Sequence, residues 1–129
     1  MSEQPADFKR RFGGIARLYG TAALERFQTA HVCVVGIGGV GSWAAEALAR
    51  SAIGQLTLID LDMVAESNVN RQIHALGDSF GKAKTDAMAE RILAINPACW
   101  IDRQNTLGHG VGLGFAEAVA KCVDLAIDV

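Results

Sequence analysis

Apolar positions along the chain change spacing from segment to segment. The runs His31–Val35 and 56–59 are short, nearly continuous and rich in β-branched residues, the pattern of strands covered on both faces of a parallel sheet. Between them Val40, Ala44, Ala47 and Leu48 recur at helical spacing and predict a helix over 39–50 with those residues as its apolar face. Ala83, Ala87, Met88, Ile92 and Ile95 predict a second amphipathic helix, closed by Asn96-Pro97 because the residue before a proline avoids the helical region. Residues 99–102 predict a third strand. Ahead of this pattern, 8–19 and 21–27 read as short helices split by Gly20. Beyond it, 115–122 predict a helix and 123–127 a fourth strand reaching Asp128. Polar residues fill 62–79, and alternating glycines fill 107–115; both predict loops.

Strands alternating with amphipathic helices define an α/β fold, here a Rossmann-like parallel sheet with flanking helices over 31–129, preceded by an N-terminal helical segment over 1–30. An open sheet of this kind takes about six strands to shape its ligand crevice. Residues 31–129 therefore read as the N-terminal part of such a fold, C-terminally incomplete.

Half of the 129 residues are apolar, enough for a packed core. A net charge of -2 excludes a nucleic-acid binder that works through bulk positive charge, although Lys9, Arg10, Arg11 and Arg17 form a local basic cluster. Three widely spaced cysteines without a C-x-x-C pair fit a reducing compartment better than a disulfide framework, and Cys33 reads as a small core residue of the first strand. With no signal peptide and no membrane-length apolar run, the chain reads as cytoplasmic, with no membrane partner.

Chemistry concentrates after the first strand. Gly36, Gly38, Gly39 and Gly41 make a glycine-rich turn that opens a helix, where free N–H groups and the positive end of the helix dipole suit a nucleotide phosphate. Asp60 lies 24 residues after Gly36, near the offset of about 20 at which an acid reaches a ribose hydroxyl, and it disfavours a 2'-phosphate. Dehydrogenases, methyltransferases and adenylating enzymes share that much. The next loop narrows the choice: Ser67, Asn68, Asn70 and Arg71, then Lys84 at the start of a helix. A dehydrogenase has no need of these groups. An adenylating enzyme does, because attack on an α-phosphorus builds charge that Arg71 and Lys84 can stabilise.

The set Gly36-x-Gly38-Gly39-Val40-Gly41-Ser42, Asp60-x-Asp62, Ser67-Asn68-x-Asn70-Arg71-Gln72 and Gly81-x-x-Lys84 resembles the E1-like superfamily of ubiquitin-activating enzymes and bacterial activators of sulfur-carrier proteins. Within it, residues 11–20, 42–51 and 70–76 look most like the family of tRNA threonylcarbamoyladenosine dehydratases. The resemblance implies ATP and Mg2+ as cofactors and adenylation of the carboxylate of the modified adenosine in tRNA, followed by cyclisation with loss of water. It implies Gly39 against the nucleotide, Asp60 on the ribose, and Ser67, Asn68, Asn70, Arg71 and Lys84 around the phosphates, with Arg71 and Lys84 catalytic and Asp128 as metal ligand. It further implies a homodimer, a possible sulfur-transfer protein partner, and an arginine reaching across the dimer. That finger position falls on Gly14 here, with Arg11 or Arg17 as stand-ins. Three alternatives stay open: adenylation of a ubiquitin-like sulfur carrier, an NAD-dependent oxidoreductase, and an inactive nucleotide-binding fragment. His74, following Arg-Gln-Ile, reads as a packing or surface residue.

Overall fold

The computed structural model describes residues 6–105. The predicted elements at 107–115, 115–122 and 123–127, with Asp128, lie outside them. Two helices come first, α1 (Phe8–Tyr19) and α2 (Thr21–Thr29). Then follow β1 (His31–Val35), α3 (Gly41–Arg50), β2 (Gln55–Ile59), a 3-10 turn (Glu66–Asn70), α4 (Lys84–Ile95) and β3 (Trp100–Gln104). The strands pair in parallel in the order β1-β2-β3, with His31 opposite Gln55 and Gln55 opposite Trp100. Both β2 and β3 extend past their predicted limits, because the register pairs Gln55 and carries β3 on to Gln104.

One core joins α3 and α4 to the sheet: Ala45, Ala49, Leu56, Leu58, Met88 and Ile92 are all fully buried. The predicted apolar face of α3 needs correction. Ser42, Ala45, Glu46 and Ala49 are its buried residues, whereas Val40 is 85% exposed. Alanines on every side leave the rotation of this helix undetermined by hydrophobicity, and a partner on α4 decides it. Arg91 donates from Nε and Nη2 to the two Glu46 carboxylate oxygens at 2.6 and 3.1 Å, and Arg50 donates from Nε at 2.8 Å. Burial pushes the Glu46 carboxyl up, but the hydrogen bonds and charges of Arg91 and Arg50 outweigh it and hold the group below the usual carboxylate range. Ala44 and Leu48 are half-buried, Leu48 still packing against the core, and with Val40 they line a groove of about 560 Å3 along β1.

The N-terminal helices pack onto the same body. Asp7 caps α1 by accepting the Arg10 N–H, and Arg11 Nη1 donates to the carbonyls of Ala94 and Ile95 at 2.9 and 2.8 Å. A cation thus sits on the negative end of α4. Gly54 donates to the Phe27 carbonyl, and a Cβ at this position would fall 1.8 Å from the Gln28 carbonyl oxygen, so only glycine lets the two backbones approach. Cys33, expected in the core of β1, is half-buried. Cys99 is a free buried thiol that burial pushes up to about 11.

Candidate functional site

The glycine turn leaves β1 at Gly36, whose φ of 86° suits glycine and whose N–H donates to the Ile59 carbonyl at 2.8 Å. Ile37 is fully buried, and its peptide groups are held from two sides. Its N–H donates to Asp60 Oδ2 at 2.7 Å, and its carbonyl accepts from His74 Nε2 at 2.8 Å. Across a trans peptide the C=O and N–H point in opposite directions, so turning the Ile37 carbonyl toward His74 turns the Gly38 N–H away from it. The Gly38 carbonyl accepts from both the N–H and the hydroxyl of Ser42, which sets the next amide, that of Gly39, at the open start of α3. A Cβ on Gly41 would lie 1.6 Å from the Gly36 carbonyl oxygen. The turn closes only with glycine there.

Asp60, half-buried at the end of β2, also accepts the Asp62 N–H on Oδ1 at 2.8 Å. Each carboxylate oxygen takes one backbone donor and keeps acceptor capacity for a ribose hydroxyl. The loop that follows is folded back on itself. Val64 donates to Lys82, Gly81 to Val64, and Lys84 to Asp62, which ties the residues after Asp60 to the start of α4. Asn68 is buried and spends its Oδ1 on the Ala65 N–H, so it shapes the 3-10 turn. Arg71 is exposed, and its Nη1 donates to the Ser67 carbonyl and to Asn70 Oδ1 at 3.2 and 2.9 Å. Trp43 on α3 donates its indole N–H to the Arg71 carbonyl at 2.9 Å. The aliphatic stem of Arg71 covers Gly39, whose Cβ position lies 3.5 Å from Arg71 Cδ. Lys84 is only 8% exposed and makes no side-chain hydrogen bond or ion pair among the described residues. Its stem is buried while its ammonium keeps some access to solvent, where an anion can reach it.

The fold therefore brings Gly36, Gly38, Gly39, Gly41, Asp60 and Arg71 onto one turn, with Ser67 and Asn70 orienting Arg71. Arg11 is committed to the end of α4 opposite Lys84, and Arg17 lies over Gly13 and Gly14 on its own helix. His74 is the residue that sequence reasoning undervalued. It is 2% exposed, so the packing half of its reading holds and the surface half does not. Gln72, at the same spacing of two, is buried as well; that alternation with exposed Arg71 was the available signal. Gln72 Oε1 and His74 Nδ1 are buried without partners among the described residues.

Burial depresses the His74 pKa below 6.5, helped by the Lys84 ammonium, while the Ile37 carbonyl and Asp60 act against it. In the unfolded chain His74 takes up a proton near pH 6.5, whereas the folded protein resists it; the native state thus loses stability as pH falls below about 6.5. Urea unfolding between about pH 7.5 and 5.5 is expected to show this loss, and His74→Gln, which keeps a donor for Ile37, to reduce its slope. Equal slopes in both proteins would remove His74 from the titration.

Among the described residues no three His, Cys, Asp or Glu side chains converge to hold a metal ion, and no helix is long and apolar enough to cross a membrane. A parallel sheet with flanking helices, a glycine turn after β1 and an acid after β2 define a Rossmann-like unit. The sequence pattern of the ThiF family matches residues 11–128, and the chain belongs to that family. It is 66% identical over 92 residues to the tRNA threonylcarbamoyladenosine dehydratase of Escherichia coli strain K12, covering 71% of this chain and 34% of the relative. The corresponding Haemophilus influenzae dehydratase is 54% identical, over 74% of this chain and 37% of the relative. The crystal structure of the E. coli enzyme, TcdA, in complex with ATP superposes with a TM-score of 0.76 at 59% identity, covering 81% of this chain and 43% of that one. The chain spans about a third of the length of the curated relatives it matches.

Proposed function

We propose that the protein uses ATP to adenylate and cyclise N6-threonylcarbamoyladenosine in tRNA, with loss of water. The observation that carries this reading is Lys84, its side chain without a partner among the described residues, together with the oriented Arg71 beside an open glycine turn. The 66% identity to an E. coli dehydratase, and a similar E. coli structure in complex with ATP, support the substrate and the nucleotide. In this reading Asp60 binds the ribose, the Gly38 and Gly39 amides face phosphate oxygens, and Ser67 and Asn70 hold the Arg71 fork. The side-chain carboxylate attacks the α-phosphorus and pyrophosphate leaves. A nitrogen or oxygen of the same side chain then attacks the activated carbonyl carbon, and AMP departs with the former carboxylate oxygen. Arg71 and Lys84 stabilise the charge that grows on the phosphate oxygens in the first step.

Magnesium belongs to the proposal on sequence grounds alone, with Asp128 as its ligand, and no step is derived through it. A homodimer and a sulfur-transfer partner follow from the same family resemblance, and a cytoplasmic location from the cysteine spacing and the lack of a signal peptide or membrane-length apolar run in the sequence; Val40, 85% exposed beside the turn, offers apolar surface to a second copy. The test is exchange of labelled pyrophosphate into ATP by the full-length protein. Exchange is expected with tRNA that carries the modification and not with unmodified tRNA, and the product nucleoside is expected to lose the mass of one water. Exchange driven only by the C-terminus of a carrier protein overturns the reading.

A further inference from the structure

A cavity of about 430 Å3 is lined by Arg11, Phe12, Arg50, Arg91, Ala94 and Ile95. Three helices deliver its arginines, which the nucleotide site does not use. Helices α3 and α4 start at the glycine turn and at Lys84, and they end at this cavity after 10 and 12 residues. It therefore lies about 15 Å from the nucleotide turn.

None of the three guanidinium groups is saturated. Arg11 engages the Ala94 and Ile95 carbonyls through Nη1 alone, and Arg50 engages Glu46 through Nε alone. Arg91 uses Nε and Nη2. That leaves Nε and Nη2 of Arg11, both terminal nitrogens of Arg50 and Nη1 of Arg91 with donors to offer. The Glu46 side chain, 7% exposed, fixes two of the forks in place. Three cations against one carboxylate leave two positive charges in excess, within a chain of net charge -2. Lys9 and Arg10, both exposed, precede Arg11 on α1 and extend the charge outward.

We infer that this cavity takes a phosphodiester of the tRNA backbone and anchors the RNA while its modified base reaches the nucleotide turn. The inference rests on the tRNA reading proposed above. Guanidinium forks match phosphate oxygens in a bidentate fashion, and backbone contacts of this kind fix the register of a nucleic acid without reading its sequence. The mouth is open, with Arg50 61% exposed and basic residues continuing along α1, which suits a continuous strand better than a small enclosed anion.

The test measures tRNA binding to the full-length protein across a salt series, for wild type, Arg50→Gln and Arg50→Lys. Arg50 is exposed and its loss leaves the Glu46–Arg91 pair intact, so both variants are expected to fold, which urea unfolding checks. Arg50→Gln is expected to weaken tRNA binding about 3- to 10-fold and to flatten the salt dependence by about one phosphate contact, with ATP affinity unchanged. Arg50→Lys keeps the charge and is expected to retain the wild-type salt dependence. Wild-type tRNA affinity and salt dependence in Arg50→Gln overturn the inference and leave the proposed function standing. Failure of the wild type to bind tRNA overturns both.

Discussion

Arg71→Ala is expected to lower the rate of AMP and pyrophosphate formation by about 10²-fold at saturating ATP and tRNA, the usual cost of removing one preorganised charge stabiliser. Fold stability should scarcely move, by about 0.5 kcal/mol or less, because the side chain is exposed and its removal leaves no buried group unpaired. Arg71→Lys should recover only part of the loss. Ser67 and Asn70 hold Nη1 of a planar fork, and an ammonium cannot keep those contacts while also spanning two phosphate oxygens. Quenched-flow measurement of AMP formation distinguishes these outcomes. Turnover near wild type in Arg71→Ala would sink the role given to this arginine.

Gly41→Ala should act through geometry rather than charge. The added carbon would sit 1.6 Å from the Gly36 carbonyl oxygen, a backbone atom with no flexible end to swing away. Either the start of α3 or the turn itself must shift, at a cost of about 2 to 3 kcal/mol. If that cost falls on the bound state it lowers ATP affinity by up to about 10²-fold. Gly39→Ala is the internal control: its Cβ would meet the Arg71 stem at an ordinary 3.5 Å, so the chain should fold as wild type does. Calorimetric titration with ATP, alongside thermal unfolding, reads both. Unchanged affinity and stability in Gly41→Ala would contradict the closeness of this turn.

Much of the framework was legible in the residues. The β2 run is apolar without alternation because 56–59 are buried on both faces, and the α4 stripe is set by Met88 and Ile92, large enough to mark one face; β1, with the same pattern, buries only Val34 and leaves Val35 exposed. Where side chains are small, the signal failed. In α3 the alanines gave no phase, and an inward residue is a glutamate whose partner Arg91, 45 positions away, no local window contains. The candidate site divides in the same way. Its glycines, Asp60, Arg71 and Lys84 announce themselves by type and spacing. That Asp60 holds the Ile37 N–H, that His74 holds the Ile37 carbonyl, and that Trp43 holds the Arg71 backbone are long-range contacts, separated by 23, 37 and 28 residues. Hydrophobic periodicity carries no information about them.

The peptide groups of Ile37, fastened at the N–H by Asp60 and at the carbonyl by His74, also bear on how quickly a nucleotide can be caught. A loose glycine loop would have to surrender its conformational freedom at the moment of binding and would lose affinity and speed in doing so. Here that freedom is given up when the chain folds. In the proposed ATP site an arriving phosphate would meet amides that these contacts already hold, with less ordering of the loop left to the binding step.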